Sequence, residues 1–244
     1  MKVQIASDLH IEYFYSDSDY YNFIDPAAKI LILSGDIGSL YRIKQLTNFL
    51  THLSSKFSLI IYVFGNCEFY LEKKYIQKFQ TIDNLKIRLK NLALQLGNVI
   101  VLDSESIQFG EYLFSGCTLW SKLEKDLPNK YKIRDLDTET YNYLHYQDLE
   151  FLKEADKIAK KDNLKHIVIT HYVPFHIDSL KNKPDLYMTE LEKDFKDSNI
   201  KTWIYGHLHC NKTFEKNGIK YVSNQRGKLS NICEDYKEDF VIDI

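Results

Sequence analysis

Five short apolar, β-branched runs in this chain each stop at a side chain of metal-ligand type. VQIAS leads to Asp8 and His10, ILILSG to Asp36, LIIYVFG to Asn66, IVIT to His171, and WIYG to His207 and His209. Runs of that length and composition read as strands. In open α/β sheets ligands bind outside the carboxyl ends of the strands. Five strands of this kind would therefore deliver their lone-pair side chains to one rim.

The rest of the chain supplies the partners of those strands. Apolar, β-branched segments predict strands at about 3–6, 30–34, 59–64, 99–102, 112–115, 167–170, 202–205, 220–223 and 240–244. Leu85, Leu89, Leu92 and Leu96 recur at helical spacing and predict a helix between Glu72 and Gly97, with Gly97 placed for a left-handed cap. Tyr141, Leu144, Phe151, Leu152, Ala155, Ile158 and Ala159 predict a second helix, which ends at Lys160, Lys161 and Asp162. Residues 41–56 read as a third helix and 190–197 as a short fourth. The first half is βαβ-like, whereas 99–121 and 213–244 hold strands too close together for crossover helices. The pattern implies two packed sheets flanked by helices.

Bulk properties set limits on this reading. At 244 residues, 44% apolar and 27% charged, the chain fits one large domain, 1–244, with a sizeable core. Lys and Arg number 32 against 34 Asp and Glu, so the net charge of −2 gives no global basic field for nucleic acid or an anionic membrane. MKVQIASDLH lacks the charged and apolar segments of a signal peptide, and no 18-residue apolar run occurs, so a cytoplasmic setting is expected. Cys67, Cys117, Cys210 and Cys233 are scattered, as reduced thiols would be.

Taken singly, the ligand motifs have ordinary explanations. Asp8-Leu9-His10 reads equally as a surface turn, Gly35-Asp36 as turn chemistry, and Thr170-His171 as a satisfied strand end. Gly206-His207-Leu208-His209 is sharper, because 9 Gly and 8 His make a chance G-H-x-H rare. What ordinary explanations do not cover is five such motifs in one chain, each closing a strand. His52, His145 and His166 fall outside every motif and read as structural.

In this order, DLH, GD, GNCE, TH and GHLH resemble the calcineurin-like metallophosphoesterase superfamily. The flanking ASDLH, LSGDIG, TLWS and NQRG resemble its small bacterial-type members, so the likeness spans nearly the whole chain. It implies an α/β (α+β) fold, a four-layer double β-sandwich flanked by helices. It also implies two divalent ions, one held by Asp8, His10 and His209 and the other by Asn66, His171 and His207, with Asp36 bridging. Carboxylate, imidazole and amide oxygen suit Mn²⁺, the first expectation, and also Fe or Zn²⁺. The implied reaction is attack on a phosphate ester by a hydroxide between the metals, with Asp36, His171 and Cys67 nearest the chemistry.

One position departs from the family. Where GNHE or GNHD is common, this chain reads Gly65-Asn66-Cys67-Glu68. A thiol is a poorer cationic donor than imidazole, so esters with poor leaving groups lose most help. Some small family members have a similar G-N-C-D and resemble broad phosphodiesterases, and that resemblance implies phosphodiesters as the favoured small-molecule substrate. Cys67 also reads as a small buried residue or as a thiolate ligand. Glu68 is expected to orient a neighbouring ligand. Arg134 and Arg226 read either as phosphate forks or as solvated surface. Tyr172 and His176 read either as substrate contacts or, with Phe175, as packing. Two alternatives stand beside the diesterase: a phosphomonoesterase, protein phosphatases included, and a non-catalytic protein that binds a phosphate ligand.

Overall fold

The computed structural model describes residues 1–128, 132–176 and 186–244. Strands β1 (Lys2–Ala6), β2 (Ile30–Ser34), β3 (Leu59–Val63) and β4 (Val99–Leu102) pair in parallel. The crossovers between the later ones are made by α1 (Ile43–Ser54) and α2 (Ile82–Leu96). The chain then enters a second sheet through β5 (Glu105–Phe109) and β6 (Tyr112–Cys117). After α3 (Thr138–Lys161) come β7 (Lys165–Thr170), α4 (Glu192–Phe195), β8 (Ile200–Ile204), β9 (Thr213–Lys216) and β10 (Ile219–Val222). A two-stranded ribbon of β11 (Gly227–Lys228) and β12 (Asn231–Ile232) follows. Finally, β13 (Val241–Asp243) returns antiparallel to β1.

The first sheet therefore has the order β13-β1-β2-β3-β4, and the second β5-β6-β7-β8-β10-β9. They pack face to face. Val3, Ile5, Ile32, Ile61 and Val63 meet Phe114, Ile167, Ile169, Ile204 and Val222 between them. On the outer face of the first sheet, Leu31, Leu33, Ile60 and Tyr62 pack with Leu46, Phe49 and Leu50 of α1 and Leu85 and Leu89 of α2. On the outer face of the second, Val168, Trp203 and Tyr221 pack with Leu149 and Leu152 of α3 and with Phe195. Layers of helix, sheet, sheet and helix result, as expected. Strands covered on both faces read as continuous apolar runs, and ILILS and LIIYV are such runs.

Element ends follow local chemistry. The α2 helix starts at Ile82, ten residues after the expected beginning at Glu72 (82 − 72), because the Thr81 side chain caps it by accepting the Asn84 N–H at 3.3 Å. Residues Lys73–Lys78 form a separate 3₁₀ turn, and Phe79 breaks away with ψ 135. Gly97 closes α2 at φ 78, its N–H donating to Ala93 O, as the sequence anticipates. Among the described residues no helix is long and apolar enough to cross a membrane.

Candidate metal centre

The carboxyl ends of β1, β2 and β3 and those of β7 and β8 meet at one edge of the sandwich, so both sheets contribute. Main-chain bonds fasten the loops to one another. Asp8 N–H donates to Gly35 O, His10 N–H to Asp36 O and Ile11 N–H to Ile37 O, each at 3.0 Å, and Gly206 N–H donates to His171 O at 3.0 Å. Asp8, His10, Asp36, His207 and His209 all take positive φ, between 49 and 78. Non-glycine residues seldom accept that region, which costs on the order of 1–3 kcal/mol each. Each loop turns sharply there and sends its side chain back over the rim. Gly206 leaves room for this, since a Cβ on it would stand 2.7 Å from Asp8 Oδ2.

Seven expected ligands converge. His10 Nε2 stands 3.1 Å from His209 Nε2, and His209 Nε2 is 3.3 Å from Asp8 Oδ1. His171 Nε2 is 3.1 Å from His207 Nδ1, 3.2 Å from Asn66 Oδ1 and 3.4 Å from Asp36 Oδ1. Asp36 turns its other oxygen, Oδ2, to His10 Nε2 at 3.7 Å. The carboxylate thus faces both groups with different oxygens. Asp8, His10 and His209 form one set able to hold an ion, and Asp36, His171 and His207 another. Ligand atoms around an ion with bonds of 2.0–2.2 Å lie about 3–3.4 Å apart, which is the spacing seen.

The outward hydrogen bonds of two rings leave their inner nitrogens able to serve as lone-pair donors. His171 Nδ1 donates to Ser34 O at 2.9 Å, and His10 Nδ1 lies 3.0 Å from Glu12 Oε1, so both present Nε2 inward. Asn66 donates its amide nitrogen to the Tyr70 hydroxyl at 2.5 Å, which leaves Oδ1 facing His171. Acceptors facing acceptors at these distances require a proton or a cation between them. The residues fit a metal pair on that ground.

Charge in the centre follows the same logic. Burial disfavours ionising Asp36, yet the surrounding histidines hold its carboxyl well below the usual range. Asp8, buried but bonded to His209, is lowered to about 2. Burial opposes charge on His171, but Asp36 and Asp8 outweigh it and raise the group to about 9, whereas burial and the neighbouring His171 lower His207 to about 3. The cluster stabilises positive charge at its middle, as a cation site must.

Residues around the ligands hold them in place. Glu68 is buried and accepts from Asp36 N–H at 3.0 Å, Ile37 N–H at 2.8 Å, Gly65 N–H at 3.0 Å and Tyr62 OH at 2.7 Å. It fixes the main chain of Asp36. Cys67 is buried, with its N–H donating to Asp36 Oδ1 at 2.7 Å, and its sulfur falls within a group with His10 and Asp36. Burial and then Asp36 push the Cys67 thiol well above its ordinary range.

Sequence reading missed three residues here. Gln225 accepts the His209 N–H at 2.7 Å and donates to Cys210 O at 2.9 Å. Tyr70 orients Asn66 as described above. Burial disfavours charge on Lys228, but the negative field of Cys67, Asp36, Tyr13 and Asp8 outweighs it and raises its pKa. The NQRG text was a signal for Gln225; a lysine three residues farther on carried none.

The four expected substrate-side residues scatter. Tyr172 is buried, stacked on His207 with centroids 4.0 Å apart and bonded to the Tyr141 hydroxyl at 3.2 Å, so it supports the ligand from behind. Arg226 lays its guanidinium on the Phe23 ring at 3.8 Å. His176 is exposed, lining a cavity with Glu190, Lys212 and Phe214 that includes none of the ligands. Arg134 is exposed and shares a cavity with Cys67 and Tyr70. His52 stacks on Tyr21, His145 faces Trp120 O, and His166 lies between Asp156 and Ser115, all structural roles.

A family model for calcineurin-like phosphoesterases matches residues 1–211, which span every ligand motif. The chain belongs to the calcineurin-like phosphoesterase family. Phosphoesterases of this family are metal-dependent, in keeping with the clustered donors. A relative, the uncharacterized protein L509 of Acanthamoeba polyphaga mimivirus, is 28% identical over 261 residues, 92% of this chain and 90% of that protein. Among solved structures, the phosphopantetheinyl hydrolase PptH of Mycobacterium tuberculosis superposes with a TM-score of 0.68 at 16% identity, covering 94% of this chain and 90% of that one. A putative 5′-nucleotidase of Staphylococcus aureus, solved with alpha-ketoglutarate, gives a TM-score of 0.50 at 15% identity, over 91% of this chain and 48% of that one. At such identities these structures establish the calcineurin-like fold alone.

Proposed function

We propose that the chain is a two-metal phosphodiesterase, with Asp8, His10 and His209 holding one divalent ion, Asn66, His171 and His207 the other, and Asp36 shared. The observation that carries this reading is the Asp36 carboxylate, which turns Oδ1 to His171 and Oδ2 to His10. One carboxylate between two sets of inward lone pairs suits two ions held side by side. Mn²⁺ is the preferred occupant for this mixture of oxygen and imidazole donors. When bound, a pair of such ions draws in a phosphoryl group and acidifies a water to hydroxide near neutral pH for in-line displacement.

The chain's own residues do the remainder. Glu68 and Gln225 hold Asp36 and His209 in register, and Lys228 adds positive charge where an anionic ester would lie. Burial and the neighbouring Asp36 push the Cys67 thiol up, which makes it a weak donor to a departing oxygen. The neutral thiol favours esters whose leaving group departs unaided, and its small volume leaves room for a second ester arm, hence diesters.

The test is turnover of bis(p-nitrophenyl) phosphate and p-nitrophenyl phosphate by metal-stripped protein titrated with Mn²⁺, Zn²⁺ and Fe²⁺. Diester cleavage well above monoester cleavage, restored by metal, is the expected result. Faster monoester cleavage would move the assignment to a phosphatase, and silence with every ion would leave a binding role. Asp36→Asn is expected to lower metal-restored diester turnover by at least about 100-fold, since it removes the shared anionic donor. Undiminished turnover by that variant would refute the shared-ligand assignment.

A further inference from the structure

Beside the metal centre lies a cavity of about 810 Å³ that reaches inward to Cys67. That volume is far more than one phosphate needs and is in the range that encloses a drug-sized molecule. Its walls are ring-bearing and aliphatic, with Tyr13, 43% exposed, Tyr70, Leu71 and Ile76, 56% exposed. Exposed apolar surface of this kind has no purpose in a site that takes only an inorganic-sized anion.

The charges of the cavity are asymmetric. Of its two carboxylates, Glu72 is held by Arg42 at 2.9 and 3.2 Å, and Glu12 turns Oε1 to His10 at 3.0 Å while its buried Oε2 has no hydrogen-bond partner among the described residues. Two exposed cations stand on the rim. Lys132 lies 5.5 Å from the Tyr70 ring centroid, and among the described residues no carboxylate is within ion-pair distance of it. Arg134 rests on Phe79 at 4.8 Å, and among the described residues its carboxylate partner is the exposed Asp135, at 3.7 Å. An exposed pair at that distance contributes little and leaves the guanidinium able to take an anion.

We propose that this cavity takes one organic arm of the ester, and that the arm carries a ring and a second anionic group, which Lys132 and Arg134 bind away from the scissile phosphorus. The inference rests on the phosphodiesterase reading and deepens it, since it names the substrate class: a diester with an additional phosphate on one ring-bearing arm. Tyr13, 43% exposed, offers a flat face to the ring. The guanidinium and ammonium give the remote anion charge-assisted hydrogen bonds.

The experiment compares the p-nitrophenyl ester of thymidine 5′-phosphate with the same compound bearing a 3′-phosphate, using Mn²⁺-loaded protein. The 3′-phosphate is expected to lower KM about tenfold, the scale of one charge-assisted hydrogen bond. In a Lys132→Ala, Arg134→Ala double variant the ratio of the two KM values should fall to about one, whereas Lys132→Arg with Arg134→Lys should preserve most of it. Equal KM values in the natural protein, or a ratio that survives the double alanine variant, would overturn the proposal. Calorimetric titration with thymidine 3′,5′-bisphosphate separates this idea from the reaction itself. If no diester turns over, saturable binding weakened at least fivefold in the double alanine variant still supports the cavity assignment, and binding indifferent to it, or none, overturns it.

Discussion

Cys67 shows how much one atom type can redirect a site. Its sulfur occupies the place beside Asn66 where family members commonly carry imidazole, in a group with His10 and Asp36. Restoring the ring by Cys67→His should speed esters with poor leaving groups by about tenfold or more and leave activated nitrophenyl esters nearly unchanged, because general acid help matters only where the oxygen departs reluctantly. A leaving-group series run on both proteins checks this; an equal gain across the series would remove the thiol from the argument. At this scale the ligands were legible because their chemistry and their place after a strand agree. Tyr70 and Lys228 were not, and Gln225 was marked only by the NQRG text without its role, since such roles depend on where a common polar side chain points once the loops have closed.

Elements were legible wherever a strand is buried on both faces or a helix has a stripe. The ILILS and LIIYV runs could be placed to within a residue, while Glu105–Phe109 and Thr213–Lys216, largely exposed edge strands, left little apolar pattern to read. A turn signal existed for the second of these. Asn217 and Gly218 both take positive φ, 53 and 73, which is the hairpin chemistry of an Asn-Gly pair. The early end of the 72–97 expectation failed because leucine spacing cannot see a Thr81 cap. Loop geometry carries its own prediction. Gly206→Ala would press a methyl against Asp8 Oδ2, 2.7 Å away, and should weaken metal affinity about 10–100-fold while far-ultraviolet dichroism stays unchanged. Metal titration of the variant decides it, and unaltered affinity would show that the loop yields freely.

For the whole molecule, titration and metal loading should be visible in stability. Asp148 of α3 is buried between the Ser104 hydroxyl at 2.6 Å and the Leu119 N–H at 2.8 Å, and burial raises its carboxyl from 3.8 to about 6. The folded state then binds this proton more tightly than the unfolded chain, so stability declines as pH rises from about 4 to about 6. Asp148→Asn should flatten that decline, by on the order of 2–3 kcal/mol between the two ends, in paired thermal melts. Parallel curves for the two proteins would contradict it. Chelation should act on the same scale: with free metal at about 100 times Kd, its removal costs about 2.7 kcal/mol, or about 5–10 °C in Tm for a chain of this size. A Tm insensitive to chelator would mean that the centre is empty under the conditions of the melt.

The donors come from the ends of β1, β2 and β3 on one side of the sandwich and of β7 and β8 on the other. The rim where esters would be cut is therefore also the seam that joins the two halves of the protein. An ion lost from it is a mechanical event as well as a chemical one: the halves are freer to breathe along that edge, and a protease meets the emptied molecule before it meets the filled one. Metal supply would then set how long the chain survives as well as whether it works.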